Sequence, residues 1–171
     1  MATAIAPQIA SWTGREPSHA RHPARNDQPI ATPVARTTGA FVAFVVRAMA
    51  ADVIAFEEMG SVSALEELRA AVKERGLDYP YLEHVSAADQ DIHVALLSRF
   101  PIVARRSHTN ETFLLAGKRF AVKRGFIDVD IRVSPHYEFT LMAAHLKSRL
   151  PVPDADQAEI REEEAMRLRE I

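Results

Sequence analysis

The sequence of 171 residues contains no cysteine. This absence excludes disulfides, thiolate metal sites and cysteine nucleophiles, and it favours a reducing compartment. No stretch approaches the roughly 20 apolar residues that a membrane-spanning helix needs. Residues 1–10 also lack the basic start and the apolar run of a signal peptide. We therefore predict a cytoplasmic protein with no membrane span.

A strong excess of charge of one sign is missing too. The chain has 21 basic and 23 acidic residues, and its formal net charge is −2. A general electrostatic attraction to nucleic acid or to a membrane surface is therefore not indicated. A phosphate-bearing substrate would have to be held by a local group of residues.

Hydrophobic residues make up 47% of the sequence, which is enough for one domain with a buried core. Proline is unevenly distributed, because five of the ten prolines lie within residues 1–36, among Arg, His, Ser and Thr. We predict that residues 1–38 are disordered and that one domain spans residues 39–171.

The first half of this domain has the pattern of a helix, a strand and a second helix. The alanine-rich apolar segment 40–50 favours a short helix, and the apolar run 52–56 is typical of a strand buried on both faces. Ser63 and Glu66 have the spacing of a capping box at the start of the second helix. Gly76 lies where the C-terminal cap of that helix is expected.

The second half has the pattern of strands followed by a helix. Segments 79–85 and 93–98 are predicted strands, and segment 126–133 alternates strictly between apolar and polar residues. Segment 137–144 follows after turn residues, so these last two strands are predicted to form an antiparallel hairpin. Residues 156–171 are rich in Glu, Arg, Ala and Leu and predict a helix with no stop signal.

Two adjacent carboxylates, Glu57 and Glu58, follow the apolar run 52–56. A carboxylate at the end of a buried strand can hold a hard divalent cation, because the strand fixes its position while the sheet edge opens to water. In a regular strand the two side chains point to opposite sides, so only one can face a given site. An acidic strand end that begins a solvated turn explains the pair equally well.

Several segments together resemble the endonuclease/exonuclease/phosphatase family. The family's signature strand has an acidic residue, four apolar positions, usually a Gln, and then the metal-binding Glu. The segment Asp52–Ser61 (DVIAFEEMGS) is similar to this pattern. Further matches follow in the family's order over residues 50–171, and they are His93–Ile102 (HVALLSRFPI), Arg124-Gly125, Thr140–Arg149 (TLMAAHLKSR) and the helix Asp156–Ala165.

The resemblance implies a metal-dependent phosphoester hydrolase that uses Mg²⁺ or Mn²⁺. By motif match Glu58 is the metal-binding carboxylate, and Glu57 takes the place of the usual Gln. His145 matches a His that pairs with the charged phosphoryl group. Arg124 and Lys147 are the candidate phosphate-binding cations. The substrate is a phosphoester, nucleic acid among the candidates, and the family also includes enzymes for phosphoinositides, sphingolipids and nucleotides.

Other family motifs are missing from the sequence. No Asn lies upstream of Asp52 except Asn26 in the proline-rich segment, and neither Asp-x-Asn nor a Ser-Asp-His after His145 is present. We therefore expect an α/β fold that is a partial DNase I-like sandwich, a mixed and mostly antiparallel sheet with flanking helices and with the second sheet largely missing.

An incomplete sandwich has consequences for function. We predict a truncated copy of a larger hydrolase, and whether this chain is active on its own stays open. The alternative is a non-catalytic remnant or interaction module that uses an exposed sheet face. An uncovered apolar face favours self-association or instability, and the interaction-module hypothesis predicts that copies of the chain associate through that face in a concentration-dependent way.

Overall fold

The computed structural model describes residues 33–153 and 155–171. The elements of this part of the chain are α1 (Pro33–Met49), β1 (Val53–Met59), α2 (Val62–Glu74), β2 (Tyr81–Val85), β3 (His93–Ser98), β4 (Ile102–Arg105), β5 (Thr112–Leu115), β6 (Lys118–Ala121), β7 (Phe126–Ser134), β8 (Tyr137–Ala144) and α3 (Gln157–Glu170). Of the segment 1–38 that was predicted to be disordered, residues 1–32 lie outside the described residues and residues 33–38 lie in α1. The first helix begins at Pro33, earlier than the predicted start near Gly39, and proline is well tolerated in a first helical turn.

One antiparallel sheet, called sheet 1, has the strand order β1-β3-β2. Its central strand β3 is buried along its whole length, whereas β1 is an edge strand whose Ala55 and Glu57 are exposed. The prediction that β1 is buried on both faces is therefore wrong. Burial on both faces requires a layer packed against each face, and β3 has the helices on one face and a second sheet on the other.

Helices α1 and α2 cover one face of sheet 1. Their buried side chains, including Ala43, Val46 and Leu65, form a core with Phe56 and Leu97 of the sheet. Helix α2 begins two residues earlier than predicted, because Ser61 rather than Ser63 is its N-cap.

The cap of α2 explains this difference. Ser61 has an extended backbone, and its Oγ accepts the Ala64 N–H, while the Ser63 hydroxyl hydrogen-bonds to Ser61. At the other end Gly76 follows the helix with φ +84°, as the sequence predicts for a C-terminal cap.

The second three-stranded sheet, sheet 2, has the antiparallel order β4-β7-β8. The predicted β7–β8 hairpin is confirmed by a register that runs from Phe126↔Ala144 to Ser134↔Tyr137. The apolar residues of β7 pack with Val94 and Leu96 of β3 in one core.

Six of the eight described strands are thus divided between two sheets that meet face to face. This corrects the expectation that the chain supplies mainly one sheet with an uncovered inner face. The reason is that β3 presents Val94 and Leu96 to sheet 2 and Ala95 and Leu97 to the helices. The predicted fold class, a mixed and mostly antiparallel α/β fold with flanking helices, is confirmed.

A short hairpin, β5–β6, was not predicted from the sequence. Its turn residues Ala116 and Gly117 have φ values of +49° and +76°, which are those of a tight two-residue hairpin turn. The hairpin packs with Phe126 and with Ile160 of α3 in a third core. None of the helices in the described ranges is long and apolar enough to cross a membrane.

Candidate active site

Antiparallel pairing brings the ends of several strands to one end of the two sheets. Met59 at the end of β1 pairs with His93 at the start of β3, and Phe126 at the start of β7 pairs with Ala144 at the end of β8. The ends of β1 and β8 meet here, because Glu58 Oε1 lies 3.9 Å from His145 Nε2. Glu58, within β1, and His145, directly after β8, are the candidate site residues placed there.

A β-bulge lies at the end of β1. Phe56 pairs with Ala95 and Met59 pairs with His93, so Glu57 and Glu58 together oppose the single residue between those two partners. The bulge lets Phe56 and Met59, three residues apart, both enter the core under the helices.

The two carboxylates differ in their surroundings. Glu58 Oε1 lies 3.9 Å from His145 Nε2, whereas the Glu57 side chain is exposed. That only one of the two faces the site stays a prediction. Glu58 adopts φ +57° to make the bulge, a backbone conformation that glycine prefers.

His145 lies 3.9 Å from Glu58, measured from Nε2 to Oε1. The His145 side chain is 16% exposed and that of Glu58 is 37% exposed, so the carboxylate is the more open of the two. Burial lowers the pKa of His145, the Arg124 charge lowers it further, and Glu57 and Glu58 oppose this shift. The neutral imidazole is thereby favoured. Its Nδ1 is buried without a hydrogen-bond partner among the described residues.

Arg124 lies beside His145 and holds the chain there. Its Nη1 donates to the Leu146 carbonyl at 3.0 Å, and its Nε lies 3.6 Å from a carboxylate oxygen of Asp89. Asp89 in turn donates its backbone N–H to the Lys123 carbonyl at 2.7 Å. Sequence reasoning missed Asp89, because nothing in the polar loop 86–91 indicates which of its residues would meet Arg124.

Lys147 faces its own loop. Its ammonium donates to the carbonyls of Ser148 at 3.1 Å and Leu150 at 2.8 Å. Burial, followed by the Arg124 charge, lowers the pKa of the Lys147 amine. The structure thus brings Glu58, His145 and Arg124 together, whereas the Lys147 side chain closes the loop after β8. The roles in phosphate binding and catalysis stay predictions.

The carboxylates at the bulge can be compared with what a divalent cation needs. Mg²⁺ prefers oxygen ligands and binds through one or two carboxylates, with water or substrate phosphate filling the other positions. Glu58, with Glu57 beside it, fits this pattern. In residues 33–153 and 155–171 no three His, Cys, Asp or Glu side chains are close enough together to enclose an ion. The donor set therefore fits a hydrated cation and not a cage built from protein alone.

Comparison with known proteins identifies the fold. No family model and no curated protein matches the chain. Solved structures do match, with TM-scores of 0.53 for sphingomyelinase C from Streptomyces griseocarneus, 0.51 for a β-hairpin deletion mutant of beta toxin from Staphylococcus aureus and 0.51 for SmcL. The chain has a DNase I-like fold.

The extent of these matches is limited. Sequence identities are 20%, 18% and 16%, and the matches cover 77%, 78% and 77% of this chain. They cover 49%, 52% and 48% of the three known structures, so the chain spans about half the length of each. The likeness shows the fold alone, and membership of the endonuclease/exonuclease/phosphatase family stays a prediction.

Proposed function

We propose that this chain is part of a metal-dependent phosphoester hydrolase whose site lies at the bulge of β1. The observation that carries the proposal is the backbone of Glu58. A non-glycine residue in the left-handed region costs about 1–2 kcal/mol, and glycine would make the same bulge without that cost. A strained carboxylate beside a half-buried His, on a DNase I-like fold, is best explained by a function of that carboxylate.

In the proposed site Glu58 holds a Mg²⁺ or Mn²⁺ ion, and Glu57 adds negative charge beside it. A bound cation of this kind polarises a phosphoryl oxygen and stabilises the leaving oxygen. His145 is neutral because burial lowers its pKa. A neutral imidazole can donate one ring N–H to a phosphoryl oxygen and so stabilise the negative charge that develops there.

Arg124 has two tasks in this proposal. Its bond to the Leu146 carbonyl fixes the segment that carries His145. Its charge, close enough to lower the pKa of His145, also makes this end of the sheets more favourable for an anionic substrate. Lys147 contributes through the loop that it closes.

The substrate class that we propose is a phosphodiester. One matched protein is named sphingomyelinase C, and sphingomyelin carries its headgroup on a phosphodiester. The nearly balanced charge of the chain gives no support to nucleic acid as the substrate. A lipid phosphodiester is therefore the first natural substrate to test.

The test is hydrolysis of bis(4-nitrophenyl) phosphate and of sphingomyelin vesicles by the full chain, with Mg²⁺, with Mn²⁺ and with EDTA. We expect hydrolysis that needs the cation and that falls at least about 100-fold in Glu58→Gln, because the cation contributes several kcal/mol of transition-state stabilisation. Glu67→Gln, an exposed carboxylate on α2, is the matched control and should retain the wild-type rate.

Absence of cation-dependent hydrolysis by the wild-type chain would contradict this function. The alternative, a non-catalytic interaction module, would then be favoured if sedimentation also detected association that depends on concentration.

A further inference from the structure

The backbone of Lys147, two residues after His145, is held from both sides by helix α3. Its N–H donates to Glu164 Oε2 at 2.5 Å. Its carbonyl accepts from Arg161 Nη1 at 3.4 Å. Arg161 and Glu164 are three residues apart and therefore lie on the same face of α3.

Glu164 also reaches a second loop. The backbone N–H of Lys123, the residue before Arg124, lies close enough to the Glu164 carboxylate to favour its ionised form. The two amides next to Glu164 thus belong to the two segments that carry His145 and Arg124. The Arg124 bond to the Leu146 carbonyl joins the same segments directly. Glu164, Lys123, Arg124 and the segment 145–147 therefore form a closed ring of contacts.

The burial of Glu164 needs an explanation. The residue is only 2% exposed, and an ionised carboxylate away from water is costly unless it is hydrogen-bonded. Burial raises the pKa of Glu164, while the backbone N–H groups of Lys147 and Lys123 oppose that shift. An apolar side chain of similar size would fill the same space without this cost. A carboxylate can accept hydrogen bonds from the two backbone amides, whereas an apolar side chain cannot.

Helix α3 is itself fixed to the body of the domain. Ile160 and Leu168 pack into the core under the β5–β6 hairpin. Arg167 Nε lies 2.7 Å from Glu111 Oε2, which adds a polar contact near the end of the helix. Glu164 is therefore held on a rigid element, from which it can set the positions of two loops.

We propose that Glu164 is a positioning residue that fixes the segments of His145 and Arg124 relative to each other. This inference rests on the proposed function, because it assigns a purpose to the position of the site residues. Glu164 acts through two backbone amides, and Arg161 supports it by holding the Lys147 carbonyl.

The test uses the full chain and the variants Glu164→Gln, Glu164→Met and Glu162→Gln. Methionine fills the space without accepting a hydrogen bond, glutamine keeps one good acceptor oxygen, and Glu162 is an exposed neighbour on the same helix. Amide hydrogen exchange is measured in segments 123–125 and 145–147, with β3 as the internal reference. Values of kcat and KM for bis(4-nitrophenyl) phosphate are measured with Mg²⁺.

We expect exchange in both segments to be at least about 10-fold faster in Glu164→Met, intermediate in Glu164→Gln and unchanged in Glu162→Gln, with β3 unchanged throughout. We also expect kcat to fall by about 10-fold in Glu164→Met, with KM nearly constant, because misplaced catalytic groups lower kcat.

A purely structural role would give different results. Equal behaviour of the Gln and Met variants, or faster exchange throughout the domain, would overturn the proposal. If Glu164→Met does not fold, the Gln variant decides, because exchange in the two segments at the wild-type rate contradicts positioning. A wild-type chain without hydrolysis contradicts the proposed function alone, and the exchange pattern still tests the role of Glu164.

Discussion

Gly125, between Arg124 and β7, allows a critical test of the structure near the site. Its φ is +66°, and a Cβ added there would lie 2.4 Å from the His108 carbonyl oxygen and 2.7 Å from Val85 Cγ1. The His108 carbonyl accepts the Phe126 N–H at 2.9 Å. Alanine at this position must therefore displace backbone that is already hydrogen-bonded.

The expected cost of Gly125→Ala has two parts. The left-handed backbone costs about 1–2 kcal/mol for a residue with a Cβ. Displacing the hydrogen-bonded pair His108–Phe126 and the Val85 side chain adds about 1–3 kcal/mol, the usual cost of overpacking. The total, about 2–5 kcal/mol, is a large part of the roughly 5–15 kcal/mol that stabilises a typical domain.

Gly117→Ala is the matched control. Gly117 has φ +76°, yet nothing lies within 4 Å of its added Cβ, so only the backbone cost applies. Urea unfolding followed by circular dichroism should place Gly125→Ala about 1–3 kcal/mol below Gly117→Ala, with equal m-values. Equal losses in the two variants would refute the close approach of Gly125 to His108 and Val85.

Three further predictions concern the backbone and the charges. Glu58→Gly should be more stable than Glu58→Ala by about 1 kcal/mol in urea unfolding, because glycine relieves the left-handed conformation, and it should be inactive; equal stability would argue against the strained bulge. Ala116→Asn should stabilise the β5–β6 turn by about 0.5–1 kcal/mol, and a lower melting temperature would contradict the assigned turn. Hydrogen bonds from Arg106, and then from Thr140, lower the pKa of Asp130. Ionised Asp130 therefore stabilises the folded state above its unfolded pKa near 3.8, and this contribution is lost as the pH falls below that value. Arg106→Gln should therefore reduce stability at pH 7 and flatten its decline in acid, whereas parallel pH profiles would exclude this linkage.

Elements with a strong internal period were predictable from the sequence. The alternation in β7 identifies its core residues, because Ile127, Val129 and Ile131 share one face of the strand. The helix α3 begins after Asp156, which is its N-cap. In both cases the information lies within a few consecutive residues, so no knowledge of distant partners is needed.

Features that depend on distant partners were not predictable. The bulge at Glu58 exists because β1 pairs with β3, and the sequence of β1 alone does not contain that register. The choice between Ser61 and Ser63 as the N-cap depends on the direction in which the chain leaves β1. The position of Glu164 depends on the packing of α3 against two loops.

Part of the family resemblance has a structural basis. Asp52 forms an ion pair with Arg99 at 2.8 Å across β1 and β3. The hydroxyl of Ser98 donates to the Phe100 carbonyl and accepts the Phe100 N–H. These residues stabilise the strand pairing and the bend that follows it. The acidic residue of the signature strand and the Leu-Ser-Arg motif therefore report on the fold, while Glu58 and His145 carry the functional prediction.

The bulge at the end of β1 also bears on aggregation. β1 is an edge strand in the described part of the chain, and an exposed regular edge can pair with a strand from another molecule. The bulge interrupts the regular pattern of backbone donors and acceptors, and two negative charges accompany it. A substitution that straightens this strand would remove strain, and it would also create a flatter and less charged edge. Solubility and the proposed chemistry of this chain thus depend on the same two residues.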